Sequence, residues 1–320
     1  MSDKIVKASV YGQEIDLIWS DELQGYVREV TAPGDSSYLH NDGHYFPVTI
    51  RATDKANNTT TISDTVGDFQ DNLKLYVKEQ VKPIIHNVSP AKGTAVNTST
   101  PTFEFDIVDN AGSQTTGFSG INPETIVITV GGKSIGSDKI EKTPIDGGYH
   151  CKYMCEDAVP DGDCTFSIDA SDHDGNTVEA SYTFKVDTVP PTLHISSPNE
   201  EISYANTQQI TIIGTTADAT SSPVQINIFV SIDADELGIS QGDVVVGENG
   251  HFEKDILLSR EGENFITILA TDKAGKQNTV KRTVILKTVG PKFRTVEITP
   301  SVVNCGNGYT IFVQFEEDEV

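Results

Sequence analysis

The chain has 320 residues, too many for one sandwich core of roughly 100 residues and suited to about three, because cores stop growing and divide as chains lengthen. Asp plus Glu number 47 against 23 Lys plus Arg, a formal charge of -24; this repels phosphate backbones and anionic lipid, so neither nucleic acid nor membrane is an expected partner. Thr, Ser, Val, Ile, Asp and Asn are abundant, and no window carries the i, i+3, i+4, i+7 apolar spacing of a long amphipathic helix. The chain reads as all-β.

The N-terminal Met-Ser-Asp-Lys-Ile-Val-Lys lacks the apolar core of a signal peptide, and no stretch approaches the apolar length of a spanning helix. The chain is expected to be made and kept in the cytoplasm, unless a larger particle carries it out. Ile15, Leu17 and Trp19 then alternate as on one strand face, which puts Trp19 in the core of a first module; a sugar-stacking platform is the alternative.

A hairpin signature follows and recurs three times: Ala52-Thr-Asp54, Ala170-Ser-Asp172 and Ala270-Thr-Asp272. Two and four residues before each alanine stand Ile50 and Val48, Ile168 and Phe166, Ile268 and Ile266, with Thr49, Ser167 and Thr267 between them on the expected solvent side. That phase is a half-buried strand running into an Asp-containing turn, where Gly and Asn supply the left-handed backbone and Asp caps it. Second strands are predicted over Leu73–Val77, Tyr182–Val186 and Thr283–Leu286, then junctions at Pro83, Pro190-Pro191 and Pro291. Ala170 to Pro191 and Ala270 to Pro291 are equally spaced, which marks a repeat. The first module carries about ten extra residues near Ser63 to Asp71, placed in a loop.

Each junction opens a strand closed by proline: Ile84 to Pro90, Thr192 to Pro198, Phe293 to Pro300. The predicted domains are therefore 1–80, a divergent β-sandwich; 81–190 and 191–289, two immunoglobulin-like sandwiches; and 290–320, a partial β segment, all in an elongated rod. The last piece has room for two or three strands. Either it packs on the third module or another subunit completes its edges; Thr295, Val296, Ile298, Tyr309, Ile311 and Val313 are the predicted docking residues.

The run Gly262-Glu-Asn-Phe-Ile-Thr-Ile-Leu-Ala-Thr-Asp-Lys-Ala-Gly275, with Ile212-Ile-Gly-Thr215 and Asn249-Gly-His-Phe252, resembles the bacterial immunoglobulin-like domains found in tandem in surface and phage proteins. Asp106-Ile-Val-Asp109, Ser119-Gly-Ile-Asn-Pro123 and Asp161-Gly-Asp-Cys-Thr-Phe166 resemble a sister type, with Cys164 where an aromatic is usual. The whole layout is similar to immunoglobulin-like proteins in the tail-assembly regions of prophages of anaerobic Firmicutes. That resemblance implies a virion part.

Catalytic patterns are missing: there is no His-Glu-x-x-His, no phosphate loop and no Cys-x-x-Cys, and Gly117-Phe-Ser-Gly120 falls one residue short of a nucleophile elbow. No enzyme activity and no cofactor are expected. Calcium is the one exception, with Asp169, Asp172 and Asp174 as candidate ligands; a solvated turn is the plainer reading. Cys151, Cys155, Cys164 and Cys305 are read as thiols, although a Cys155–Cys164 disulfide is geometrically conceivable. His86 and His194 hold equivalent positions in their strands and are assigned a packing or surface role.

The expected function is a structural virion component of a phage tail, baseplate or related contractile particle, serving as spacer, decoration or docking protein. Its partners would be other subunits, in multiple copies. The alternative is an adhesin-type module binding a host-surface protein or glycan.

Overall fold

The computed structural model describes residues 4–109 and 117–316, and the chain divides into two compact units, Met1–Asp187 and Thr188–Val320. Among the described residues no helix is long and apolar enough to cross a membrane.

The first unit begins with β1 (Ile5–Val10), β2 (Gln13–Ser20), β3 (Gly25–Val27), β4 (Phe46–Thr53), β5 (Thr59–Ile62) and β6 (Lys74–Leu75). These form one six-stranded antiparallel sheet, ordered β3-β2-β1-β4-β5 with β6 on β4. A two-sheet sandwich was expected over 1–80, so the finding is a correction. Its physical basis is thin apolar cover: Val6, Ala8, Val10, Phe46 and Leu73 are buried, whereas Ile15, Leu17, Val48 and Ile50 on the same face are only half-buried. Trp19 is likewise half-buried and not in a core. Its Nε1 donates to Asp21 at 2.8 Å, and its ring meets Tyr26 edge-on at 5.5 Å.

The second module follows in the same unit: β7 (Ile84–Ser89), β8 (Ala95–Val96), β9 (Thr102–Val108), β10 (Val127–Val130), β11 (Lys133–Ile135), β12 (Glu141–Ile145), β13 (Gly148–Met154), β14 (Gly162–Ser171) and β15 (Thr177–Val186). They make two sheets, β11-β10-β14-β15-β8 and β12-β13-β9-β7. Pro144 lies in the edge strand β12, where the missing N–H breaks no central ladder. Strict alternation drives the packing: Phe103, Phe105 and Ile107 from one sheet meet Phe166, Ile168 and Phe184 from the other, all fully buried. The Phe103 ring centroid lies 4.5 Å from that of Phe166, tilted, and 5.6 Å from that of Phe184, edge-on, and such aromatic pairs add about 0.5–1.5 kcal/mol each beyond area burial.

The second unit repeats the plan with β16 (Thr192–Ser197), β17 (Ile202–Ala205), β18 (Gln209–Ala217), β19 (Gln225–Ser231), β20 (Ile239–Ser240), β21 (His251–Leu257), β22 (Gly262–Thr271) and β23 (Gln277–Leu286). Its sheets are β16-β18-β21 and β17-β23-β22-β19-β20. In both sandwiches the chain crosses sheets after the opening strand. A short strand (β8, β17) then pairs parallel with the last one (β15, β23). Gly250 shows what the turns demand: its φ is +77°, and a Cβ there would stand 1.9 Å from the Thr216 carbonyl oxygen. The unit also holds β24 (Phe293–Thr299) and β25 (Thr310–Phe315), which among the described residues pair only with each other.

Candidate functional site

The recurrent aspartates build the same turn three times. The carboxylate of Asp54, Asp172 or Asp272 accepts the backbone N–H four residues on, from Asn58, Asn176 or Lys276, at 2.9, 2.8 and 2.9 Å. Asp54 stays exposed, while Asp172 and Asp272 are buried at the ends of β14 and β22.

In the first unit, two distant carboxylates converge on Asp172. Asp109 follows β9 and is 2 % exposed; Glu79 lies in the segment between β6 and β7. Each of Glu79, Asp109 and Asp172 offers an oxygen within 4.8 Å of the others. The loop Gly117–Gly120 supplies the floor: Gly120 N–H donates to Asp109 Oδ2 at 2.6 Å, and Ser119 Oγ accepts from Asp174 N–H at 3.1 Å. Asn176 Nδ2 donates to Glu79 Oε1 at 2.9 Å and Asp172 Oδ2 at 2.7 Å. Asp109 Oδ1 is buried and has no hydrogen-bond partner among the described residues. Burial first, then the hydrogen bond with Asp172, raises the Glu79 carboxyl to about 7. Asp109 is pushed up to about 6, again chiefly by burial, with the charges of Asp172 and Asp174 adding to it.

The three sequence candidates therefore separate. Asp172 is central. Asp174 borders the cluster, its Oδ2 accepting from Glu79 N–H at 3.0 Å. Asp169 does not join: it alternates with buried Ile168 and Ala170 on β14, pairing across to Val127 and Glu179. Sequence reasoning missed Glu79 and Asp109, which are 93 and 63 residues from Asp172. The one available signal was repetition, because Asp218 follows β18 as Asp109 follows β9. Asp218 and Asp272 also lie within 4.8 Å of each other, and Asp272 Oδ2 is buried without a partner among the described residues.

Beside the cluster, Tyr38 stacks between His44 (3.9 Å) and His173 (4.2 Å), the rings within 10° of parallel. His173 is lowered from its ordinary value, first by burial and then by His44. A cleft of about 560 Å³ opens nearby, lined in part by Tyr11, His40, Phe46 and Tyr149. His86 and His194 are exposed, and His86 shares Asp106 with His150. Cys151 and Cys164 are buried thiols, Cys155 is half-buried and Cys305 is exposed.

The predicted docking residues fall on one hairpin. Val296 pairs with Val313 and Ile298 with Ile311, so these four share a face. Phe293 and Phe315, paired with ring centroids 5.0 Å apart, extend it; the Phe315, Val313, Ile311 alternation was the signal for them. All six are exposed, between 40 and 64 %. Thr295 pairs with Gln314 on the opposite, mainly polar face, and exposed Tyr309 precedes β25.

Residues 191–288 match the family described as glucodextranase, domain B. Both sandwiches share one two-sheet β plan, and the family match covers the second of them. No curated protein matches the chain. Among solved structures, it is similar to the fibronectin(III)-like modules of Clostridium thermocellum CbhA (15 % identity, 64 % of this chain and 94 % of that one, TM-score 0.40). It is also similar to Sidekick-1 immunoglobulin domains 1–5 (12 %, 98 and 60 %, 0.35). A third is Bacteroides ovatus SGBP-B of the mixed-linkage glucan utilization locus, in complex with a heptasaccharide (13 %, 92 and 64 %, 0.22). At these scores the likenesses bear on neither binding nor activity.

Proposed function

We propose that this chain is a non-enzymatic structural component of a multi-subunit particle of the phage-tail kind. In this reading its sandwiches serve as spacers and its β24–β25 hairpin docks on a second copy. The observation that carries it is the uncovered apolar face of that hairpin. β7 with β9, and β16 with β18, are the equivalent opening pairs of the two sandwiches, each leading to a proline (Pro90, Pro198, Pro300). There the facing sheet covers the apolar side; β24–β25 has no such cover among the described residues. Two hairpins packed face to face would bury each other's Val296, Ile298, Ile311 and Val313 and make a two-layer core. The symmetry is isologous, so one surface serves both partners.

Sedimentation equilibrium over a concentration series tests this, run under reductant so that exposed Cys305 forms no intermolecular disulfide. Wild type should self-associate, and Val296→Asp with Val313→Asp should be monomeric with unchanged circular dichroism. A monomeric wild type at high micromolar concentration would refute the docking role.

Glycan binding is a second reading, favoured by the cleft beside Tyr11 and Tyr149, whose aromatic faces and the nearby Asp35 suit sugar stacking and hydrogen bonding. Retention on a glycan array, lost in Tyr149→Ala, would support it; silence across the array removes it.

A further inference from the structure

The carboxylate cluster in the first unit is built like a cation site. We propose that Glu79, Asp109 and Asp172 bind a hard divalent cation of the calcium class, which clamps the segment after the first module onto the end of the second.

Three observations converge. The donor atoms are close: an oxygen from each carboxylate lies within 4.8 Å of the other two. Like charges packed so tightly in a desolvated place repel unless protons or a cation neutralise them. Among the described residues no Lys or Arg forms an ion pair with any of the three. The nearest lysine contact, Lys78 Nζ at 3.2 Å, goes to the backbone oxygen of Asp174. The second observation is independent of the clustering. Asp109 is 2 % exposed, and its Oδ1 is buried with no hydrogen-bond partner among the described residues, although Gly120 N–H satisfies Oδ2 at 2.6 Å. A lone carboxylate oxygen away from water is costly, and a bound cation would satisfy it while offsetting the shared negative charge. The third is repetition, in that the equivalent Asp218 and Asp272 also approach within 4.8 Å and also leave a buried Asp272 oxygen unpartnered.

The chemistry of the donors selects the ion. All are oxygens, which suit hard cations, with no histidine nitrogen or cysteine sulfur to favour zinc or copper. The three carboxylates bring three oxygens together; calcium, with six to eight oxygens in flexible geometry, completes such an irregular set with carbonyl oxygens and water, whereas magnesium demands a stricter octahedron. Asn176 now donates its amide to Glu79 Oε1 and Asp172 Oδ2. Half a turn of that amide presents its carbonyl oxygen instead, a change of orientation with no change of shape. Glu79 is the ligand that makes the site a clamp, because it alone comes from outside the second sandwich.

The test uses the full chain, stripped with EGTA and titrated calorimetrically with calcium chloride. Glu79→Gln and Asp109→Asn should each weaken binding tenfold or more, and Asp169→Asn should leave it within twofold. Magnesium at equal concentration should bind at least tenfold more weakly. A local readout guards against misfolded variants: in wild type, saturating calcium should slow tryptic cleavage after Lys78, the residue before Glu79, at least tenfold relative to EGTA. The proposal fails if millimolar calcium produces neither heat nor protection, if Glu79→Gln and Asp109→Asn bind as wild type does, or if magnesium matches calcium.

Discussion

Asn264 shows how one side chain can hold a loop. It is fully buried in β22, yet its Oδ1 accepts from Ser259 and Arg260 N–H at 2.7 and 3.2 Å, and its Nδ2 donates to Arg260 and Gly262 oxygens at 2.8 and 3.0 Å. Truncation strands four backbone groups. Asn264→Ala should cost about 2–3 kcal/mol in denaturant unfolding of the second unit, since each buried group left unpaired costs on the order of 1–3 kcal/mol and the loop relaxes to hydrate some of them. Cys151 carries a different residue-scale prediction. Burial pushes its thiol up to about 12, so at pH 8 it is almost wholly protonated and shielded. A thiol-reactive chromophore should label exposed Cys305 within minutes in native protein and Cys151 only after denaturation; equal native rates would contradict the burial.

At the scale of elements, alternation was legible in the sequence and convergence was not. Phe166, Ile168 and Ala170 fall on the buried face of β14, and Ile266, Ile268 and Ala270 on that of β22, in the phase read from the Ala-x-Asp signature; Thr267, expected on the solvent side, is buried as well, so β22 is covered on both faces there. Strand openings at Ile84, Thr192 and Phe293 also match, because proline fixes where each strand stops. The first module resisted: its Val48 and Ile50 keep the phase but are half-buried, since period-2 patterning says which way a side chain points and not whether a second sheet arrives to cover it. The carboxylate cluster was hidden for a related reason. Asp172 and Asp174 sit in one turn and were readable together, whereas Glu79 and Asp109 reach the site only through long-range strand pairing.

For the whole molecule, the proposed function turns on completion of the β24–β25 hairpin by a second copy. An isolated two-stranded hairpin is marginal in water, and this one offers six exposed apolar side chains on a single face. Amide exchange reads its state directly. The inter-strand hydrogen bonds of Thr295–Thr299 and Thr310–Phe315 should open readily in a monomer and be held in an assembled sandwich. Hydrogen–deuterium exchange at two protein concentrations, on either side of the association midpoint and under reductant, is the decisive measurement. Both strands should be protected at high concentration and lose that protection on dilution, with β22 and β23 unchanged. Exchange of the hairpin that is fast and identical at both concentrations would contradict completion by a second copy.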